Sequence, residues 1–163
     1  MFNRRCFESI LAREFQRSER HGREFTLALV DVDDFKQFND RYGHQAGDEA
    51  LASLGSSIRR AIRSTDLAAR YGGDEMAVIL PETKLEKAYN LFVRRFKTEI
   101  ESGFGDLFSG RSALSVTIGI ASYPQDGMTS RELVLAADRA LLDAKKHKHE
   151  RLIGCAHPVK GAA

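Results

Sequence analysis

The stretch Leu67–Leu80, LAARYGGDEMAVIL, decides the fold. Two short apolar runs, Leu67–Tyr71 and Met76–Leu80, flank Gly72-Gly73-Asp74-Glu75. A Gly-Gly pair between strands signals a hairpin, because glycine tolerates the positive φ that tight turns need. Pro81 ends the second run, since proline has no N–H to continue a ladder. Upstream, Thr26–Val32 (TLALVDV) is apolar and partly β-branched and reads as a buried strand. Downstream, Leu114–Tyr123 (LSVTIGIASY) is the longest strand candidate, and Arg151–Ile153 is a short one.

Helical spacing fills the gaps. Residues 3–21 carry Phe7, Ile10, Leu11 and Phe15, with Gly22 as a stop. After the first strand comes a helix with Ala50, Leu51, Leu54, Ile58 and Ile62 on one face. Leu85–Ile100 turns Ala88, Leu91, Phe92, Phe96 and Ile100 inward, and Gly103–Arg111 reads as a loop. Ser130–Lys146 places Leu133, Ala137, Ala140, Leu141 and Ala144 on one side. This order predicts an α+β fold: a ferredoxin-like β-α-β-β-α-β core, with helices on one side of an antiparallel sheet and further helices added.

Composition narrows the function classes. The 163 residues suit one domain, and 42% hydrophobic content can build a core. Lys+Arg 25 against Asp+Glu 23 leaves +2, so no strong field points to DNA or an anionic membrane. Cys6 and Cys155 are too few for a disulfide framework or a four-thiolate zinc site. No apolar run is long enough to span a bilayer, and MFNRRCFESI lacks a secretory pattern. A reduced, cytoplasmic compartment is the expectation. The five histidines show no metal spacing and no nucleophile arrangement.

Three carboxylates, Asp31, Asp33 and Asp34, lie where the first strand stops. Strand side chains alternate, so Asp31 and Asp33 share a face. Hard oxygen ligands of this kind suit Mg²⁺ beside substrate phosphates; a solvated strand end with Asp34 as a helix cap is the competing reading. Asp74 and Glu75 read equally as a plain turn in water. If the hairpin pairs beside Thr26–Val32, however, Asp74 approaches Asp31, and carboxylates from neighbouring central strands form the metal site of nucleotidyl-transfer palms. Lys36 could reach a phosphate, and Asn39 and Asp48 could read a purine edge; an exposed polar helix explains them as well. Lys145 ends the last long helix, where a cation complements the dipole or binds phosphate. Arg63 and Asp66 sit three apart at a helix end, the spacing of a weak local ion pair, and Arg94 on the next helix could add a donor.

Together these motifs resemble the GGDEF domain family, whose active members are diguanylate cyclases. Asn3-Arg4-Arg5-x-Phe7 is similar to its NRRxF opening, and Asp31-Val32-Asp33-x-Phe35-Lys36-x-x-Asn39-Asp40 to its DxDxFKxxND segment. Gly43-His44 and Gly47-Asp48 match the GHxxGD step, and Arg70–Glu75 the signature loop. Val116–Gly119 and Ala137–Lys145 match the last strand and helix. The resemblance spans residues 3–154 by motif placement and implies a domain over 1–154, trimmed at its N-terminus because the family's DxLTGL segment is absent, with 155–163 as a flexible tail.

The resemblance implies that two GTP become cyclic di-GMP and two pyrophosphates, each GTP held by one domain of a homodimer, with an upstream sensory or dimerising domain absent from this chain. Asp31, the Val32 carbonyl and Asp74 would hold Mg²⁺ or Mn²⁺, and Glu75 would act at the metals or near the 3′-hydroxyl. Asn39 and Asp48 would recognise guanine. Lys36, Lys145, Gly72, Gly73 and the backbone near Asp34 and Phe35 would cradle the nucleotide. Arg63, Asp66 and Arg94 would form an inhibitory product site. Three departures from the pattern are Met76 in place of Phe, Leu142 in place of Tyr, and His149 in place of Arg. They keep open a second reading, a weakly active or inactive domain that serves as a receptor for cyclic di-GMP or GTP.

Overall fold

Strand β1 (Phe25–Val32) is central because all eight of its residues are buried. It pairs antiparallel with β3 (Glu75–Pro81) on one edge and β4 (Val116–Tyr123) on the other. The outer strands are β2 (Leu67–Arg70), antiparallel to β3, and β5 (Ile153–Cys155), parallel to β4. The order β2-β3-β1-β4-β5 is the predicted ferredoxin-like sheet with one strand added. Of the short strand expected at Arg151–Ile153, Ile153 lies in β5, and residues 151 and 152 lie outside the described residues. This computed structural model describes residues 1–96, 98–100, 102–103, 114–147 and 153–158. His149, and residues 104–111 of the expected Gly103–Arg111 loop, lie outside the described residues, whereas Gly103 itself is helical.

Alternation along β1 sorts the core into two layers. Ala28, Val30 and Val32 face one side with Met76, Val78, Leu54, Ile58, Phe92 and Phe96. Phe25, Leu27 and Leu29 face the other with Phe7, Leu11, Ala77, Leu133 and Leu141. The first layer is covered by α2 (Phe35–Tyr42), α3 (His44–Ala61) and α4 (Leu85–Leu91), the second by α1 (Arg4–His21) and α5 (Ser130–Lys146). Each fully buried Leu, Ile or Phe contributes roughly 1.5–3 kcal/mol relative to exposure, so both layers hold the sheet ends in place.

Two helical details differ from the sequence reading. The segment after β1 is two helices, because Gly43 adopts φ 86° and ψ 158°, a conformation side chains disfavour. Leu85–Ile100 is not one regular helix: Phe92–Phe96 form a wider π-helical turn after α4. That turn keeps both Phe92 and Phe96 fully buried, edge to face at 5.3 Å. At the other ends, the Asn3 side chain accepts from the Cys6 N–H to start α1. Thr129 and Glu132 form a capping box that starts α5.

Candidate functional site

The β1–β3 register sets Asp31 opposite Glu75 at the end of the sheet. Asp74 sits one residue back, its carbonyl accepting the Val32 N–H at 3.3 Å. The expected meeting of the first strand's acid with the hairpin's acids therefore occurs, with Glu75 the register partner. Burial raises the Asp31 carboxyl above its usual range; the Lys145 contact opposes this, and the charges of Asp74 and Asp33 add to it. Glu75 is raised by burial first, then by Asp31 and Asp74. Anionic oxygens are thus crowded where little water compensates them.

Lys145 supplies the compensating charge. Its Nζ lies 2.6 Å from Asp31 Oδ1. The sequence gives Lys145 a dipole or phosphate role and says nothing of this pair. Its height is set by Gly119 on β4, over which α5 settles: a Cβ there would fall 2.2 Å from the Ala137 carbonyl oxygen. Asp33 shares the face of Asp31 as expected, but its carboxylate is engaged by the Ser115 and Thr117 hydroxyls at 2.6 and 2.8 Å. Asp33 thus ties the turn after β1 to β4. Among the described residues, no group of three or more His, Cys, Asp and Glu side chains gathers closely enough to hold a metal.

The hairpin is held by contacts the sequence reading did not assign. The Arg70 guanidinium donates to the Gly72 carbonyl at 3.3 Å and to the Gly73 carbonyl at 2.7 Å. Arg4 lies 4.6 Å over the Tyr71 ring, and Phe7 meets that ring edge to face. An Arg just before a diglycine turn is the only sequence signal for the clamp. Neither Gly72 nor Gly73 has positive φ, which corrects the expected reason for the glycines. Gly72 is required by proximity instead: a Cβ would lie 2.4 Å from Glu75 Oε2. Gly73 has open space around it. Met76 is buried as an apolar residue should be, and Leu142 is exposed.

Asn39 of α2 packs against Gly47 of α3, the residue next to Asp48. Gly47 lets the Asn39 side chain in, since a Cβ would lie 1.9 Å from Asn39 Oδ1. Among the described residues that buried oxygen has no hydrogen-bond partner, an arrangement that costs free energy. Asp48 and Lys36 are exposed. Asp34 stands at the N-cap of α2, its carbonyl accepting the Phe38 N–H at 3.0 Å, but at φ 53° in the left-handed region its side chain makes no cap, so the competing cap reading holds for the backbone alone.

Arg63 and Asp66 form a turn, not a guanidinium–carboxylate pair. The Arg63 backbone N–H donates to Asp66 Oδ2 at 2.8 Å, and the neighbouring Thr65 hydroxyl also acts on the carboxylate. Burial raises the Asp66 carboxyl against that hydrogen bond. Arg94 is exposed on the π-helical turn, and the neighbouring Arg95 donates to the Arg60 carbonyl at 3.2 Å. No described helix is long and apolar enough to cross a membrane.

Comparison with known proteins agrees with this geometry. Residues 1–151 match the family profile described as "Diguanylate cyclase, GGDEF domain". The chain is similar to the probable diguanylate cyclase DgcC of Escherichia coli, 35% identical over 93% of this chain and 40% of that protein. It therefore spans about two fifths of that relative's length. Among solved structures, the GGDEF domain of TpbB from Pseudomonas aeruginosa is 34% identical with a TM-score of 0.77, covering 96% of this chain and 97% of that one. The GGDEF domain of DgcB from Caulobacter crescentus, solved in complex with c-di-GMP, is 31% identical with a TM-score of 0.78, covering 94% and 90%.

Proposed function

The chain belongs to the GGDEF domain family, and from that premise we propose that it is a diguanylate cyclase domain, condensing two GTP into cyclic di-GMP and two pyrophosphates. The observation that carries this reading is the Asp31–Glu75 register at the sheet end, with Asp74 beside it. The crowded carboxylates already draw a cation, Lys145, so the donor set fits a hard divalent ion. Asp31, Asp74 and the Val32 carbonyl are the proposed ligands for Mg²⁺ or Mn²⁺. Such an ion supplies charge neutralisation at the attacked phosphate and acidifies the attacking hydroxyl.

The chain's own residues do the rest. Asp48 accepts from the guanine ring N–H and exocyclic amine, and Asn39 takes a second position on the base edge. Lys36 and Lys145 hold the β- and γ-phosphates, with the backbone N–H groups at Asp34 and Phe35, where α2 begins. Gly72 and Gly73 let the nucleotide lie close to the hairpin backbone. Glu75, its carboxyl raised by burial and by the charges of Asp31 and Asp74, takes the 3′-hydroxyl proton. Each domain holds one GTP, so two domains face each other about a two-fold axis for in-line attack. Arg63, Asp66 and Arg94 bind the product and so limit turnover. A cytoplasmic setting follows from the GTP supply.

The test is protein held as a dimer by a fused pairing domain, incubated with GTP and Mg²⁺ and assayed for cyclic di-GMP. Product that disappears in Asp74→Ala supports the assignment. No product at high concentration of the enforced dimer rejects it. Tight GTP or cyclic di-GMP binding by calorimetry without turnover would identify a receptor instead.

A further inference from the structure

We propose that Lys145 is a built-in counterion for Asp31 that gives up its place only to a triphosphate, so that divalent-cation binding at Asp31 is conditional on the nucleotide. This rests on the cyclase reading of the same carboxylates and adds a coupling between two ligands. The Lys145 ammonium occupies Asp31 Oδ1 at 2.6 Å, one of the two oxygens through which Asp31 could hold a metal. An ammonium at this distance and a divalent ion repel each other on the same carboxylate, so the lysine must turn away for the ion to bind.

The two partners differ in freedom. The Asp31 side chain is 10% exposed and fixed at the end of a fully buried strand, whereas Lys145 is 37% exposed on a long stem. Helix α5 cannot follow the lysine outward, because its backbone is seated on β4 at Gly119. The exchange is therefore a swing of one side chain. Its neighbour Lys146 is exposed to solvent and takes no part in the pair.

The surrounding charges make the position contested. Asp33 and Asp74 act on Asp31, and Asp31, Asp74 and Asp138 act on Glu75, while Lys145 is the cation that acts on both. Asp33 offers no substitute ligand, since hydroxyls engage both of its oxygens. With Lys145 in place, an arriving divalent ion meets a neutralised carboxylate and a facing positive charge. When a triphosphate draws the ammonium away, Asp31 regains its full charge. Linkage makes the effect reciprocal: cation and triphosphate each tighten the other. A monophosphate, lacking the oxygens Lys145 would reach, does not open the site.

Titration of the protein with Mn²⁺ alone tests this, following loss of the free-ion paramagnetic resonance signal at low ionic strength, where the counterion acts most strongly. Lys145→Met should tighten nucleotide-free Mn²⁺ binding by about tenfold, within the usual range of coupling between sites. Lys145→Arg, which keeps the charge, should bind as weakly as the natural chain. Adding Asp31→Asn to Lys145→Met should remove the gain. Unchanged Mn²⁺ affinity in Lys145→Met, while the natural chain binds Mn²⁺ with GTP in an Asp31-dependent way, overturns the counterion role and leaves the cyclase reading standing. If no Mn²⁺ binding depends on Asp31 even with GTP, both fall together.

Discussion

Gly119 of β4 lies beneath the backbone of Leu141 in α5, so close that a Cβ on the glycine would fall 2.4 Å from the Leu141 amide nitrogen. Backbone cannot yield as a flexible side chain does. Gly119→Ala should therefore lift the helix and cost about 1–3 kcal/mol, as overpacking does. Thermal melting measures this. Gly73→Ala, with open space around it, should leave the melting temperature unchanged. The same lift should separate Lys145 from Asp31.

Gly47→Ala should act on nucleotide affinity more than on stability. The new Cβ would displace Asn39 Oδ1, the end of a movable side chain. Loss of one buried hydrogen-bonding group costs about 1–3 kcal/mol, or roughly five- to 150-fold in affinity. Calorimetry with GTP should show that loss while the melting curve stays close to that of the natural chain. Unchanged GTP affinity would remove Asn39 from the base site.

The Arg70 clamp predicts a local effect. Arg70→Met removes its hydrogen bonds to the Gly72 and Gly73 carbonyls. The hairpin should open more often, with faster hydrogen exchange at the Tyr71 and Gly72 amides, which donate to the Glu75 carbonyl. Exchange in β1 should not change.

Glu14 predicts a pH-dependent gain. Its carboxyl is raised, first by burial in α1 and against the pull of Arg17 at 3.5 Å. A raised carboxyl means the folded state disfavours the charged form more than the unfolded state does. The resulting penalty is full above the folded value and fades as pH falls through it. Glu14→Gln should raise the melting temperature at pH 7, by about 2–4 °C per kcal/mol relieved in a chain of this size. The gain should vanish below the ordinary carboxylate range, about pH 4.

Much of the fold was legible because it depends on local pattern. The diglycine hairpin, the apolar Thr26–Val32 run and the spacing of Leu133, Ala137 and Leu141 each fix an element on their own. The meeting of Asp31 with the hairpin acids followed once those strands paired. What escaped depends on contacts between distant residues or on small backbone changes. Nothing near Lys145 in sequence announces Asp31 as its partner, and no hydroxyl pattern announces that Ser115 and Thr117 hold Asp33. The π-helical turn at Phe92–Phe96 keeps the same inward phenylalanines as an α-helix, so spacing alone does not reveal it. Gly72 was read as a turn glycine, yet what requires it is the Glu75 carboxylate folding back over it.

The central claim is tested most directly by a crystal structure of the chain with Mg²⁺ and a non-reacting GTP analogue. The account predicts the base between Asn39 and Asp48, a divalent ion on Asp31 and Asp74, and the Lys145 ammonium moved from Asp31 to the phosphates. A guanine seated elsewhere, with no cation on Asp31 and Lys145 still bound to it, would contradict the account.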